Sequence, residues 1–376
     1  MAETTDVVIV GGGIAGLCTA YYLARAGVTS TIIEKDSLGS HASGFAFGEL
    51  TPSRGSGIPG PLAPLAMEGL RMHPELTGAL REDTGIDPGF HLRQTLVLMF
   101  TEEELAAERA TLPAEQGLGC YGVRWVEAAE ARAMEPRISD RVLAAVCLEG
   151  PGEVDPYRLV LALAGAVEKR GCTIRTGHVT GLQVEAGRVR TVRLETGEIP
   201  CDRAVLATGP WAAEAATWIG TAIPVRPLKG EIIRLRASGP PIERRVSRGH
   251  HYAASKPDGL VWAGTTLEEA GFDDGPTEQA RQSITDGLVA MLPSLLDAQL
   301  VEHTACLRPV TPDWLPILGP VPGVEGVYLA TGAGRKGILL GPPMGKAVAD
   351  LITTGATDIT LDAFEVGRFG GDELTP

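Results

Sequence analysis

Short apolar runs alternate with helix-like patterns along this 376-residue chain. Residues Val7–Val10 are all apolar, which predicts a buried strand, and the Ala- and Leu-rich stretch after them predicts a helix that ends at Gly27. A second strand is predicted over residues 30–34. Because strands that alternate with helices form parallel sheets, this N-terminal pattern predicts an α/β fold.

The same alternation returns in later segments. A capping pair, Asp155 and Pro156, predicts a helix start, and Gly171 predicts its end. The other elements predicted by apolar spacing are a helix over 61–82, a strand over 173–177, a buried strand leading into Ala207-Thr208-Gly209, the strand "GVYLATG", and a helix over about 343–354. These segments continue the strand-helix alternation of the N-terminus.

Two middle blocks have a different pattern, with strand-like runs such as "TLVLMF" and "PVRPLKGEIIRLR" and a helix within 276–296. They predict a mostly antiparallel sheet. We therefore expect a Rossmann-like domain in three pieces, residues 1–85, 150–222 and 303–376, and an α+β substrate-binding domain made of residues 86–149 and 223–302.

Composition excludes several classes of protein. The formal net charge of −14 argues against nucleic acid as a partner, and no apolar run reaches the roughly 18 residues that a membrane helix needs. The six cysteines form no CxxC pair, so they indicate neither a zinc site nor a disulfide framework. The N-terminus lacks the basic and apolar regions of a secretory signal, so a cytoplasmic location is expected.

The turn after the first strand carries Gly11, Gly13 and Gly16 in the spacing GxGxxG. This spacing allows a tight turn, a close approach of the backbone to a pyrophosphate, and packing of the helix on the strand. Glu34 ends the second strand, where a carboxylate binds ribose hydroxyls. Lys35 and the Ser/Ala/Gly-rich turn after it resemble flavoproteins in which a helix start contacts the phosphates of the cofactor. This resemblance favours FAD over NAD, although the turn alone is also compatible with a plain loop.

Taken together, the chain resembles the D-amino-acid oxidase superfamily of FAD-dependent oxidoreductases, and within it the glycine oxidase and sarcosine oxidase branch. The resemblance rests on "VVIVGGGIAGLCTAYYLARAG", "GEVDPYRLV", "AVLATGPWA", "RPLKGE", "CLRPVTPDWLPILGP" and "GAGRKGILLGP", which span nearly the whole chain. It implies a set of cofactor-binding residues: Gly11, Gly13, Ile14, Ala15, Gly16, Glu34, Lys35, Ser40, His41, Ala42, Ser43, Gly44, Val179, Ala207, Thr208, Gly209, Trp211, Gly334, Arg335, Lys336, Gly337 and Ile338.

The resemblance also implies a substrate pocket with Tyr252, Arg308 and Arg335 as its polar groups and His250 near the flavin. Two apolar pocket positions fall on Phe45 and on Leu267, where the family leads us to expect methionine.

Arginine suits a carboxylate because its planar fork pairs with both oxygens and stays charged. The alternative for Arg308 is an ion pair with a neighbouring acid such as Asp313. Arg335 can instead contact the flavin or lie at the pocket mouth, and Tyr252 can simply pack in a sheet.

The reaction implied is oxidation of a small amino acid or N-substituted glycine, with hydride transfer from the α-carbon to flavin N5 and hydrolysis of the imine. Oxygen or an electron carrier is the expected acceptor. A dehydrogenase of the same fold and a flavin subunit of a hetero-oligomer are the alternatives, and a homo-oligomer is compatible with either. Cys306 holds the place of a cysteine that bonds to flavin in sarcosine oxidases, but non-covalent FAD is favoured.

Overall fold

The computed structural model describes residues 6–370, so residues 1–5 and 371–376, which end two of the predicted domain segments, lie outside the described residues. The strands are β1 (Val7–Val10), β2 (Ser30–Glu34), β3 (Glu49–Leu50), β4 (His91–Leu92), β5 (Thr95–Met99), β6 (Val123–Glu127), β7 (Ala144–Leu148), β8 (Gly152–Glu153), β9 (Thr173–Thr176), β10 (Val179–Glu185), β11 (Arg188–Leu194), β12 (Gly197–Pro200), β13 (Arg203–Leu206), β14 (Arg226–Arg236), β15 (Arg245–Arg248), β16 (His251–Ser255), β17 (Val261–Gly264), β18 (Gln299–Val310), β19 (Ile317–Pro320) and β20 (Val327–Thr331). The α-helices are α1 (Ile14–Arg25), α2 (Ala42–Phe45), α3 (Ala63–Thr84), α4 (Glu102–Gly117), α5 (Ala128–Met134), α6 (Pro156–Lys169), α7 (Ala216–Ile219), α8 (Glu278–Met291) and α9 (Gly337–Thr354), and short 3₁₀ helices cover Gly209–Ala215, Pro293–Leu295, Gly334–Lys336 and Val366–Phe369.

The first sheet has six strands in the order β19-β20-β13-β1-β2-β9. All neighbours pair in parallel except β19, which runs antiparallel to β20. Helices α1, α3, α6 and α9 bury one large apolar core with this sheet, and a small antiparallel sheet, β10-β11-β12, contributes to the core on the other side. This arrangement confirms the predicted α/β fold with a Rossmann-like sheet.

The second large sheet has eight strands in the order β18-β14-β17-β16-β15-β5-β7-β6. It is antiparallel except for the β15–β5 pair, as the middle blocks predict. Helix α8 packs on one face through Ile284, Leu288 and Met291. On the opposite face, Leu105 of α4 packs with Val97, Met99 and Leu148, and the rest of that face remains for a site.

The predicted helix starts follow the capping chemistry. Asp155 accepts a hydrogen bond from the backbone N–H of Arg158 at 2.9 Å, and Pro156 opens α6 as predicted. The strand β9 returns beside β2, which confirms the parallel crossover. Helix α3 begins at Ala63, two residues after the predicted start.

The C-terminal helix is longer than predicted, because α9 begins at Gly337 and not near residue 343. Pro342 has no N–H, so the carbonyl of Ile338 lacks its helical partner, and His73 Nε2 of α3 donates to that oxygen instead at 3.0 Å. Gly69 of α3 lies against the carbonyl oxygen of Leu339, which a Cβ at that position would approach to 2.2 Å. Packing against α3 thus allows the prolines inside α9.

Among residues 6–370, no helix combines the length and the apolar character needed to cross a membrane.

Candidate active site

A cavity of about 730 Å³ is lined by both large sheets. Its walls include the turn after β1, the ends of β2 and β13, the start of α9 and one face of the eight-stranded sheet. Volumes of this order are typical of cofactor and small-molecule sites. The cavity therefore joins nucleotide-binding loops to side chains of the second sheet.

The glycine-rich turn forms one end of the cavity. Gly11 has a φ of 108°, and a Cβ there would lie 2.4 Å from the carbonyl oxygen of Ala207 on the neighbouring strand end. Gly13 precedes α1 and has no side chain to cap it, so the helix start faces the cavity without a side chain from that position. Glu34 Oε2 accepts a hydrogen bond from Gly12 N at 2.8 Å, so the carboxylate lies beside the turn, as predicted.

The segment after β2 forms the adjacent wall. Ser43 Oγ accepts a hydrogen bond from Ile14 N at 3.0 Å and so joins α2 to the start of α1. Lys35 Nζ lies 3.4 Å from the centre of the Trp211 ring, and His41 packs edge-on against the same ring. Trp211 therefore holds two cationic or polar side chains of this wall in place.

Most of the cofactor residues expected from the sequence line this cavity. They are Gly11, Gly13, Ile14, Ala15, Glu34, Lys35, His41, Ala42, Ser43, Val179, Ala207, Thr208, Gly209, Trp211, Gly334, Arg335, Lys336, Gly337 and Ile338. Gly16, Ser40 and Gly44 do not line it. Gly16 and Gly44 instead allow close backbone packing: a Cβ on Gly16 would lie 2.0 Å from Gly11 O, and a Cβ on Gly44 would lie 1.9 Å from Gly39 O. Ser40 Oγ donates a hydrogen bond to Ser37 O.

Arg308 lies on β18 and reaches across β14 at Gly230. A Cβ on Gly230 would lie 1.9 Å from Arg308 Nη1, so only glycine leaves room for the guanidinium. The fork donates to Thr265 Oγ1 at 2.6 Å and to the Thr266 carbonyl at 3.1 Å. These acceptors are neutral, so they orient the fork and leave its charge uncompensated.

Asp313, the ion-pair partner considered for Arg308, pairs with Arg368 at 2.8 Å. No carboxylate among residues 6–370 forms an ion pair with Arg308 or with Arg335. Burial, followed by the charge of Arg308, lowers the pKa of Arg335. Two guanidinium groups thus share one cavity without a counter-ion from the described part of the chain, which favours an anionic ligand between them.

Tyr252 on β16 lies in the same cavity. A Cβ on its cross-strand neighbour Gly264 would lie 2.9 Å from the Tyr252 hydroxyl, so this glycine makes room for the ring. Phe47 packs against the ring of Tyr252 with centroids 4.5 Å apart. Burial raises the pKa of Tyr252, which keeps the hydroxyl protonated as a donor.

The remaining pocket residues are placed differently. His250 and Phe45 line the cavity, and burial together with Arg335 lowers the pKa of His250, so its ring is neutral at pH 7. Leu267 lies outside the lining and is 42% exposed. Phe47, which the sequence did not single out, lines the cavity and packs beside Tyr252.

Arg245 and Glu49 form a further buried group that the sequence analysis missed. Arg245 is 1% exposed, and its Nη2 lies 2.5 Å from Glu49 Oε1. Burial acts to raise the pKa of Glu49, but Arg245 and then Thr51 outweigh it and hold that pKa below its usual value. Lys336 Nζ, whose pKa burial lowers to about 8, donates to the Thr51 carbonyl at 2.7 Å.

Cys306 lies two residues before Arg308 on the same face of β18 and lines the cavity. The thiol is buried, and burial raises its pKa. Since the thiolate is the nucleophilic form of cysteine, this environment disfavours covalent attachment to a cofactor.

A family model described as FAD dependent oxidoreductase matches residues 6–351. This chain belongs to that family.

Within the FAD dependent oxidoreductases, the curated relatives include two glycine oxidases. That of Pseudomonas aeruginosa is 32% identical over 352 residues, which cover 92% of this chain and 94% of the relative. That of Geobacillus kaustophilus is 33% identical over 377 residues and covers 99% of each chain. The crystal structure of glycine oxidase from Geobacillus kaustophilus aligns with a TM-score of 0.93 at 31% identity, over 97% of this chain and 99% of the other.

The cavity residues fit the FAD that defines the family. Thr208 Oγ1 is buried and has no hydrogen-bond partner among the described residues, although the residue lines the cavity. The start of α1, the carboxylate of Glu34 and the turn before α9 face the same space. An extended dinucleotide matches this mixture of backbone donors and a ribose-binding carboxylate.

Proposed function

We propose that this FAD dependent oxidoreductase oxidatively deaminates glycine or an N-substituted glycine. The observation that carries the proposal is the pair Arg308 and Arg335, which enter one cavity with no carboxylate partner from residues 6–370. A substrate carboxylate supplies the missing charge. The relatives named glycine oxidase support an amine with a carboxylate on the neighbouring carbon.

Each pocket residue has a defined task in this proposal. Arg308 binds the carboxylate through its fork, which Thr265 and the Thr266 carbonyl hold in position. The Tyr252 hydroxyl donates a second hydrogen bond, and Arg335 adds positive charge. Together these groups fix the α-carbon, and fixed geometry is the protein's main contribution to the rate.

FAD, when bound, accepts two electrons with the hydride of the substrate α-carbon. The resulting imine takes up water and releases an α-keto acid and an amine or ammonia. The positive charges of Arg308 and Arg335 disfavour a protonated amine beside them, so they favour the deprotonated amine that gives up the hydride. The pocket needs no side chain to act as a general base on this route.

FAD is proposed to occupy the cavity from the glycine-rich turn to α9. Glu34 would bind its ribose, the start of α1 its pyrophosphate, and Thr208 a polar atom of the cofactor. We also propose the domain division stated above, supported by the placement of β5, β6 and β7 in the eight-stranded sheet beside β14–β18. Oxygen is the proposed electron acceptor, in keeping with the relatives named as oxidases.

The deciding experiment is anaerobic mixing of the FAD-loaded protein with glycine, sarcosine, D-alanine and L-proline while the flavin absorbance is followed. We expect glycine or sarcosine to bleach the flavin. Arg308→Lys, which keeps the charge and loses the planar fork, should raise the half-saturating substrate concentration more than Arg281→Lys, a control on α8 outside the cavity. If no carboxylated amine bleaches the flavin, the proposed function is wrong.

The same samples test the acceptor. We expect the reduced protein to regain its oxidised spectrum within seconds of mixing with air-saturated buffer. Reoxidation that takes many minutes, but is fast with a quinone, would assign the protein as a dehydrogenase.

A further inference from the structure

The cavity continues beyond the proposed carboxylate site, along one face of the eight-stranded sheet. Cross-strand neighbours place Tyr252 of β16 beside Ser247 of β15, and Ser247 beside Val97 of β5. Arg245 and Thr95 form the next pair on the same two strands. All five residues line the cavity. A continuous strip of the sheet therefore extends past Tyr252, away from Arg308.

The dimensions of this strip exceed what glycine needs. Neighbouring strands lie about 4.8 Å apart, so the cavity-lining side chains of β15 and β5 lie roughly 5 and 10 Å beyond β16. The strip continues to Leu148 on β7, which pairs with Thr95 and lines the cavity. Ser247 is small and stands directly beside Tyr252, so no bulky side chain of β15 separates the strip from the carboxylate site.

The far part of the strip is polar and ordered. Arg245 Nη2 donates to Thr95 Oγ1 at 2.5 Å and to Thr51 Oγ1 at 3.1 Å, and it pairs with Glu49. Arg245 Nη1 is buried and has no hydrogen-bond partner among the described residues. An unpaired buried donor is costly, and a ligand acceptor would remove that cost.

The charge of Arg245 is already balanced by Glu49. The unpaired N–H therefore requires an acceptor oxygen and not specifically an anion. The lining between Tyr252 and Arg245 combines the Ser247 hydroxyl with the apolar Val97. Such a surface suits a short flexible chain that ends in a hydroxyl, amide or carboxylate.

We propose that the substrate is an N-substituted glycine whose substituent, about three to five heavy atoms long, runs over Ser247 and ends in a hydrogen-bond acceptor at Arg245 and Thr95. This inference rests on the proposed function and narrows its substrate class. The substituent is placed on nitrogen because a secondary amine keeps both hydrogens on the α-carbon, so either C–H is available for oxidation.

The test compares four amines by kcat/KM in the FAD-loaded protein: sarcosine, N-butylglycine, N-(2-hydroxyethyl)glycine and N-(2-carboxyethyl)glycine. We expect at least one polar-ended amine to exceed N-butylglycine by about tenfold or more, as a hydrogen bond to a charged group predicts. Comparing N-(2-hydroxyethyl)glycine with N-(2-carboxyethyl)glycine shows whether the subsite prefers a neutral or an anionic group at the end of the substituent. Calorimetric binding of the thioether acids thiodiglycolate and (butylthio)acetate, which have no amine to oxidise, should give the same order.

Two variants locate the subsite. Ser247→Leu fills the strip beside Tyr252, and Arg245→Lys keeps a positive charge for Glu49 while removing Nη1; each should abolish the preference for a polar end. Ser283→Leu, an exposed serine on α8, is the matched control and should keep it. Visible flavin spectra and thermal unfolding check that each variant is folded and loaded.

The outcomes separate the two proposals. If sarcosine is oxidised but the polar-ended amines are no better than N-butylglycine in the unmodified protein, the subsite is wrong and the proposed function stands. The subsite is equally wrong if the preference survives Ser247→Leu in folded protein. If none of the four amines reduces the flavin, both proposals fail.

Discussion

The replacement Gly230→Ala tests the carboxylate site without removing any of its polar groups. Gly230 lies in the interior of β14, where its backbone is not in the left-handed region, so alanine is compatible with the strand itself. The added Cβ would lie 1.9, 2.0 and 2.1 Å from three atoms of the Arg308 guanidinium. The methyl group must therefore displace the fork.

The magnitude follows from what the fork loses. Displacement breaks the 2.6 Å hydrogen bond to Thr265 and the 3.1 Å bond to the Thr266 carbonyl, which together aim Arg308 into the cavity. A misaligned fork forfeits about one charge-assisted hydrogen bond to the substrate, roughly 1.5–3 kcal/mol. This corresponds to a loss in kcat/KM of about 10- to 150-fold.

The assay is steady-state oxygen consumption over a range of glycine or sarcosine concentrations, with thermal unfolding to confirm the fold. Gly181→Ala is the matched control, because Gly181 also lies in a strand and a Cβ there meets nothing within 4 Å. The reasoning is refuted if folded Gly230→Ala protein keeps the kcat/KM of the control. The position of the Arg308 fork in the structure would then not matter for substrate binding.

Three further predictions use the same site. Tyr252→Phe should raise KM severalfold, by about 0.5–1.5 kcal/mol for one neutral hydrogen bond, with little change in melting temperature; an unchanged KM would show that the hydroxyl only packs. Glu49→Gln should cost about 1–3 kcal/mol in chemical unfolding at pH 7, because buried Arg245 loses its charged partner although the Glu49 side chain is itself only half-buried. The lowered pKa of Glu49 means that its stabilisation is present above the unfolded-state pKa and is lost as the pH falls through the folded-state value, so the difference from Gln should shrink in acid. Cys306→Ser protein should still bind yellow flavin, and acid precipitation should release the flavin from both this variant and the unmodified protein. If flavin stays with the precipitate of the unmodified protein, the bond to Cys306 is covalent.

The sequence predicted the elements that local signals define. Glycine spacing, the cap at Asp155 and the apolar run Val7–Val10 act over a few residues, so their consequences can be read along the chain. The predicted start of α9 was wrong because prolines normally end a helix. Here His73, far away in sequence, supplies the hydrogen bond that Pro342 cannot make.

The sequence predicted only some of the pocket residues, for a related reason. Tyr252, Arg308 and Arg335 were identified through a family resemblance, and the structure brings all three into one cavity. Gly230 and Arg245 were missed because their importance depends on which residue stands opposite on another strand. Cross-strand register is a long-range property that no single segment encodes. The motif "RPLKGE" does contain Gly230, but the motif alone does not say what approaches that glycine.

The partners of the arginines distinguish structural from functional groups in this cavity. Arg245 pairs with a carboxylate of the chain, Glu49, so its charge is balanced without a ligand, just as Asp313 balances Arg368 outside the cavity. Arg308 is held by a hydroxyl and a carbonyl oxygen, which fix its direction and leave its charge free. Removing part of an unbalanced charge from water opposes folding, and for half-buried Arg308 that cost is recovered only when an anion binds. That cost is the physical reason to assign carboxylate binding to Arg308.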